Sequence, residues 1–452
     1  MPTLPNHTVL IIGGGIAGLA TAVRLIQNGI KPIVLEKRPF LGGRAYSFRD
    51  SDTGTEIDNG QHVFIGACDQ FQKYISDIGA SNQIRLEKRI GFPVLKHGNI
   101  GWLKARTLPG ALANFSALFG YKHVGLIGKL RILWALFSIK TTRLGPNSPH
   151  DRFSFDDWLR DHAQTDETIQ NFWNLIILPS LNDSIESVSA YTGIELFKVA
   201  LLGAANNPAM GIPLSGLSIL VGDNAKKFIE GHGGEIRTGI DVQSLEISNG
   251  RISGIRTAKD QLIESETIVS AVPASVMTSL MSSGSGGKED FFTPAKSIQT
   301  APIVAIHIWY DRPVMADKFI ATIDSPLQWV FNDTDLKSRN EIGQHIVISL
   351  SGAWKWQDKS KKQLREIFIE EMSNTFPAAK YAKIEKFAVV KMLEATFQVA
   401  PNSREQRLSQ RTPLPGLYLA GDWTDTGWPS TMESAVRSGN LAADYIAEDI
   451  RI

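Results

Sequence analysis

Four separated clusters in the chain carry residue types able to do chemistry. The first is Gly13-x-Gly15-x-x-Gly18, with an acid, Glu36, eighteen residues beyond the last glycine. Glycines at this spacing allow a tight turn, a close backbone approach to a pyrophosphate and close packing of the following helix. An acid about 20 residues further on suits ribose hydroxyls. Ile16 and Ala17 open that helix, so its N-terminal amides and positive dipole end face the phosphates. Taken alone, the glycines describe an ordinary turn as well as a nucleotide site. The second cluster, Lys37 to Arg44 with Gly42-Gly43-Arg44 at its end, can bring amides and a guanidinium toward phosphates, or it is a loop with a solvated arginine. The third, Asp58-Asn59-Gly60-Gln61-His62, interrupts an apolar run with polar groups that need buried partners, from a cofactor face or from a hydrogen-bonded turn. The fourth is Gly421-Asp422 at a strand end, with a helix start near Thr431-Met432-Glu433.

The surrounding patterns say which elements must hold these clusters. Val9 to Ile12 reads as a buried strand, Leu19, Val23 and Ile26 follow a helical period up to Gly29, and Ile33-Val34-Leu35 is a second strand ending on Glu36. Strand, glycine turn, helix, strand and acid together form the βαβ dinucleotide unit. Gly416 to Asp422 is a strand that delivers a carboxylate to its C-terminal end, where open α/β sheets bind ligands. Ile240 to Ile247 and Ile252 to Arg256 flank Asn249-Gly250, a hairpin signal, and Glu266 to Val272 is a strand stopped by Pro273.

Between these blocks the character changes. From Gly91 to Gly231 the patterns are helical and rich in Leu, Phe and Trp. Ala111 to Ile139 mixes apolar residues with Lys122, His123, Lys129 and Arg131, and Lys140 follows. That composition suits a helix lying on an anionic membrane or lining a lipid entrance, and equally a core helix pair with solvated basic edges. Ser154 with Asp157 marks a helix start. Phe172 to Leu178, before Pro179, is core or the wall of an apolar pocket. Ala301 to Tyr310 and His345 to Leu350 read as strands of a second sheet, Lys361 to Phe376 as a helix, and Ile384 to Phe397 as a strand leading back.

Bulk properties bound the partners. A length of 452 residues allows two or more domains, and 43% hydrophobic residues with mean hydropathy −0.08 describe a globular protein with a sizeable core. Forty-seven basic against 46 acidic residues give no reason to expect nucleic acid. The single Cys68 excludes an internal disulfide and a cysteine-rich metal site, and no metal is expected. Met1 to His7 lacks the pattern of a signal peptide, and no run of about 18 apolar residues calls for a membrane span. The expected location is therefore cytoplasmic, with the basic-apolar segment offering peripheral contact with the inner membrane.

The glycine fingerprint, Glu36, Gly42-Gly43-Arg44 and the glycine-bearing polar loop resemble the FAD-dependent amine oxidase and phytoene desaturase superfamily. Asp58-Asn59-Gly60-Gln61-His62, Leu393 to Phe397, Leu419 to Gly427 and Pro429 to Ala435 resemble its hydroxysqualene dehydroxylase branch, from bacterial hopanoid synthesis. The sequence departs from the superfamily's common Glu-Gly-Ala at Glu433-Ser434-Ala435.

The resemblance implies an α/β fold: a Rossmann-like FAD domain (6–90, 232–300 and 395–452) with an inserted mixed-sheet and helical substrate domain (91–231 and 301–394). It implies FAD held by Gly13, Gly15, Ile16, Ala17, Gly18, Glu36, Lys37, Gly43, Arg44, Asn59, Gly60, Gln61 and His62. It adds Val242 by its backbone at the adenine, Gly421 and Asp422 at the ribityl and pyrophosphate, and Thr431 and Met432 at the pyrimidine edge. The implied reaction is reductive removal of the hydroxyl of hydroxysqualene, an apolar isoprenoid, to give squalene, with an unidentified electron donor. An acid near the flavin is required, and Asp58 and His62 are the candidates, each of which could instead only position FAD. A carotenoid desaturase, an amine oxidase and a redox-silent escort protein are the alternatives.

Overall fold

The computed structural model describes residues 8–50, 54, 56–106, 108, 111–203, 209–281, 289–339 and 342–451. The reading of Met1 to His7 lies outside them. Five parallel strands form one sheet in the order Glu235–Thr238, Lys31–Glu36, Thr8–Ile12, Ile268–Ser270, Leu417–Leu419. Parallel strands covered on both faces read as unbroken apolar runs. Here Leu10 and Ile12 enter one core, while Val9 and Ile11 enter the other. The helix Ile16–Gln27 packs on the C-terminal helix Met432–Arg451 so closely that a Cβ on Gly439 would lie 2.4 Å from the Ala17 carbonyl oxygen. Asn249 and Gly250 both take positive φ, 52° and 72°, and turn Val242–Ser248 back onto Arg251–Thr257 as the sequence predicts.

The second sheet has seven strands in the order Ile384–Phe397, Thr300–Tyr310, Gln344–Leu350, Trp329–Asn332, Phe319–Ile323, Gly91–Lys96, Asn99–Lys104. Of these neighbours, only the Phe319–Ile323 and Gly91–Lys96 pair runs parallel. Side chains alternate along Thr300–Tyr310. Val304, Ile306, Ile308 and Tyr310 pack with Leu364, Phe368 and Met372 of the helix Lys361–Thr375, which leaves Ala305, His307 and Trp309 on the opposite face. That face meets the polar loop: a Cβ on Gly60 would sit 3.7 Å from the Ala305 Cβ.

Helices Ala111–Gly120, Leu126–Thr141, Asn174–Leu181 and Ala190–Ala200 form a cap. Ile132, Ala135 and Ile139 bury one side of Leu126–Thr141 against the aromatic core of Phe155, Trp158, Trp173 and Phe197. Its other side is exposed, so this segment is core on one face only. Ser154 and Asp157 close the predicted capping box. Pro179, expected to end its segment, lies within the helix Asn174–Leu181, one turn from its end at Asn182 (φ 56°). Residues 210–231 part company with the cap. Strand Met210–Pro213 pairs with Phe64–Ile65 and Ile84–Leu86, and Ala225 and Ile229 join the core around the helix Ile16–Gln27. Among the described residues no helix is long and apolar enough to cross a membrane.

Candidate functional site

At two glycines of the turn the backbone leaves no room for a side chain. Gly13 has φ +106°, and a Cβ there would meet the Ala271 oxygen at 2.7 Å. A Cβ on Gly18 would lie 2.0 Å from the Gly13 oxygen. The helix starting at Ile16 has glycine as its N-cap, no side-chain cap and no acid in its first turn. Such an end leaves amides free for an anion. Gly42 donates its amide to the Gly14 oxygen (2.9 Å), and a Cβ on Gly43 would lie 3.0 Å from the Gly15 Cα. The Gly42-Gly43 pair therefore lies alongside the glycine turn, and together they form a backbone cradle. Glu36 is buried beneath it, accepting from the Gly14 amide (2.7 Å) and the Arg38 amide (2.8 Å). Lys37 is exposed. Ile240 donates its amide to the Glu36 carbonyl (3.0 Å), which brings the buried Val242 to the same end.

Arg44 and Asp422 meet in an ion pair across the middle of the site, and Arg44 also donates to the Ala395 oxygen (3.0 Å). Ser430 donates to the other Asp422 oxygen, and the Gly421 amide donates to Ser438 Oγ (2.8 Å). Arg407, which no local pattern singles out, donates to the Asp422 backbone oxygen (3.1 Å) and the Thr424 oxygen (2.6 Å) while lying over the Phe397 ring at 4.8 Å. Burial pulls its guanidinium down to about 10. In sequence it sits in an Arg-Glu-Gln-Arg run that reads as solvated.

Thr431 caps the C-terminal helix by accepting from the Ser434 amide (3.1 Å), and Met432 packs beside the nucleotide-side core. Glu433 turns away from the cradle. It accepts from the Phe71 amide (2.7 Å) at the N-terminus of helix Asp69–Asp77 and from Arg437 (2.6 Å), and burial pushes its carboxyl up to about 7.

The polar loop divides its work. Asn59 donates to the Arg44 oxygen (2.7 Å) and exchanges bonds with the Tyr46 backbone, so it fixes the Gly-Gly-Arg loop. Gln61 and His62 are half-buried. His62 Nδ1 bonds the Gly60 oxygen (2.9 Å), and crowding by neighbouring atoms lowers its imidazole below the ordinary range, with the Gly60 bond and Asp58 opposing. Asp58 is committed elsewhere. It accepts from Ser47 Oγ (2.7 Å), the Leu217 amide (2.9 Å) and Lys337 Nζ (2.8 Å).

Lys337 begins a buried chain that the sequence did not announce. It also pairs with Asp333 (2.9 Å), which pairs with Arg339 (3.2 Å) and with His345 Nδ1 (3.1 Å). His345 Nε2 meets His307 Nδ1 at 3.1 Å. Burial opposes the Lys337 charge, but Asp333 and Asp58 outweigh it and raise the ammonium. Burial likewise opposes the Asp333 carboxylate, and Lys337 with His345 hold it well below the usual range. Burial, aided by His345, drives His307 well below its ordinary value. With His345 Nδ1–H donating to Asp333, His307 Nδ1–H donates to His345, and His307 Nε2 is left as an acceptor with no partner among the described residues. Trp309 stacks on His345 at 4.2 Å, and the indole nitrogens of Trp309 and Trp329 are likewise buried without partners there. The one sequence signal was a histidine in the otherwise apolar run Ala301 to Tyr310.

A small apolar chamber lies under the cap, lined by Leu103, Phe115, Leu118, Leu136, Phe172 and Ile176 among others, with Asn114 the polar member. Asn114 Oδ1 is buried without a partner among the described residues.

A family model described as flavin containing amine oxidoreductase matches residues 16–447. The 15-cis-phytoene desaturase of Capsicum annuum is 25% identical over 476 residues, covering 100% of this chain and 79% of that protein. The zeta-carotene desaturase of Synechocystis is 24% identical over 482 residues, covering 97% and 96%. Among solved structures, cyclohexylamine oxidase from Brevibacterium oxydans superposes with a TM-score of 0.76 at 15% identity, covering 99% of this chain and 100% of that one. Putrescine oxidase bound to putrescine gives 0.74 at 15% identity and full coverage of both.

Proposed function

Because the chain belongs to the flavin containing amine oxidoreductase family, we propose that it is an FAD-dependent enzyme that removes the hydroxyl of hydroxysqualene to give squalene. The cofactor is FAD, and the enzyme is an oxidoreductase. In this reading Glu36 and Val242 hold the adenosine, and Gly13 to Gly18 with Gly43 cradle the diphosphate. Arg44, Asp422, Asn59, Gly60, Gln61, Thr431 and Met432 flank the remainder. Lys37 lies at the rim.

Reduced FAD, when bound, supplies a hydride. With that hydride the carbon–oxygen bond would break as the hydroxyl took a proton and left as water. An external two-electron donor would be needed to keep the cofactor reduced. Asp58, occupied by Lys337, positions the loop. His62 is the residue of the pair left to hold or move the proton.

One observation carries this choice of substrate. The apolar sheet face against Gly60 holds buried polar atoms without partners among the described residues, His307 Nε2 and Trp309 Nε1. Each unpartnered atom costs roughly 1–3 kcal/mol, and a hydroxyl that displaced the packing over one of them would recover that cost where a hydrocarbon would not. The relatives favour a second reading, carotenoid desaturation, in which electrons pass from substrate to flavin. Reduced holoprotein incubated with hydroxysqualene separates the two. Squalene by mass supports dehydroxylation, whereas no squalene, with bleaching of the oxidised holoprotein's flavin on phytoene, selects the desaturase. His62→Gln and Asp58→Asn with full flavin occupancy and unchanged turnover would remove both residues from proton handling.

A further inference from the structure

Ten Lys and Arg residues and no Asp or Glu lie between Glu87 and Asp151. The cap helix Leu126–Thr141 stands within that acid-free stretch. Its outer face exposes Leu126 (71%), Ile127 (70%), Leu130 (57%), Trp134 (55%) and Phe137 (58%), with Phe119 (59%) beside them from the preceding helix. Its inner face, at Ile132, Ala135, Leu136 and Ile139, is buried. A helix apolar all round belongs in a core or in lipid, and only half of this one has a core. Sixteen residues reach about 24 Å, short of the roughly 30 Å hydrocarbon layer, so the helix cannot span it. Exposed Lys122 and Lys140 flank it, and on the neighbouring hairpin Lys104 lies 5.8 Å from the ring of exposed Trp102. Cations around aromatic and aliphatic side chains match an anionic headgroup layer over acyl chains.

We propose that this face lies in the plane of an anionic lipid bilayer and that the small chamber directly beneath it widens as a port to admit an apolar substrate from the membrane. The same two helices supply both surfaces. Leu136 lines the chamber while its neighbour Phe137 is exposed, and Leu118 lines it while Phe119 is exposed. The port rests on the reading of the substrate as an isoprenoid lipid; the docking face does not. A second copy of the chain fits less well, because two such faces would oppose clusters of like charge.

The test uses the full-length FAD-loaded protein. It is sedimented with vesicles of phosphatidylglycerol or of phosphatidylcholine, and turnover of hydroxysqualene is compared in those vesicles and in detergent micelles. Binding to the anionic vesicles and its loss in high salt are expected. Leu130→Gln/Trp134→Gln/Phe137→Gln should weaken binding by about tenfold or more. Lys122→Gln and Lys140→Gln should each weaken it roughly fivefold. The triple variant should retain micellar turnover and lose vesicle turnover. Ala117→Phe, which fills the chamber, should keep vesicle binding and flavin absorbance and lose turnover in both media. Equal binding to both lipids, no binding, or a dimer that buries this face would overturn the docking face. Ala117→Phe with normal turnover would overturn the port. Vesicle binding without any squalene formation would remove the substrate reading and leave the docking face standing.

Discussion

The nucleotide-binding layer and the helical cap hold their shapes by opposite means. In the first, backbone meets backbone: Gly13 on Ala271, Gly18 on Gly13, Gly43 on Gly15 and Gly439 on Ala17. Position is set by contacts in which one carbon atom is already too much. In the cap, side chains fill space around Phe155, Trp158, Trp173 and Phe197, and the outer face of one helix is left uncovered by the described residues. The first arrangement fixes the backbone to within an atom's width. The second tolerates exchange of one apolar residue for another, which suits a surface that meets lipid chains.

The seam between the halves should give the largest effect. Lys337, from beside the second sheet, neutralises Asp58 of the polar loop and Asp333, all three buried. Lys337→Met leaves Asp58 without a cation and Asp333 with only Arg339 and His345, and should cost about 3–5 kcal/mol. Urea denaturation of the holoprotein measures it. A loss below about 1 kcal/mol would mean that the two halves are not joined through this pair. Within the nucleotide layer, Gly18→Ala should cost about 1–3 kcal/mol of packing strain, because the obstructing atom is backbone and cannot rotate away. The visible flavin absorbance per protein should fall with it. Full flavin occupancy in the Gly18→Ala variant would show that the layer is softer than its contacts.

The same contrast explains what could be read from the residues alone. Glycines with positive φ, an acid at a strand end and an Asn-Gly turn act locally, so Gly13 to Glu36, Gly42 to Arg44, Asn249-Gly250 and Gly421-Asp422 were legible one by one. The Asp58–Lys337–Asp333–His345–His307 chain was not. Its members come from four segments, and each has an ordinary reading as a solvated charge or a strand residue until the fold joins them. Asp58 was noticed for its place in the loop, and its partner lies 279 residues away. The cap segment 111–139 stayed open between core and membrane because it is apolar on both faces, and periodicity separates only helices with one apolar side. The placement of 210–231 followed from packing on the helix Ile16–Gln27, which no local pattern records.

Glu433 offers a finer comparison, since it ties the C-terminal helix to Asp69–Asp77 inside the nucleotide layer. Its folded carboxyl is raised to about 7 from an ordinary 4.5. Between those values the folded state binds more protons than the unfolded state, so this group's contribution to stability falls as pH rises from about 4.5 to 7. Glu433→Gln keeps an acceptor for the Phe71 amide and should flatten that slope by up to about 3 kcal/mol across the window. Chemical denaturation at several pH values reads it. An unchanged slope would mean that Arg437 keeps Glu433 ionised throughout.

The smallest effect is expected where the cap has no partner among the described residues. Leu130→Gln removes an exposed apolar side chain from a helix whose buried positions are elsewhere, and glutamine is nearly as good a helix former. Stability in detergent-free buffer should therefore change by no more than about 0.5 kcal/mol, the usual range for surface substitutions. Flavin content should not change. Leu136→Gln, six residues on and buried, is the control, because it places an amide in the core and should cost several times as much. If Leu130→Gln destabilised as much as Leu136→Gln, the outer face would be covered by protein in solution. The two regions would then be held by packing alike, and the cap would lose its claim to a lipid-facing side.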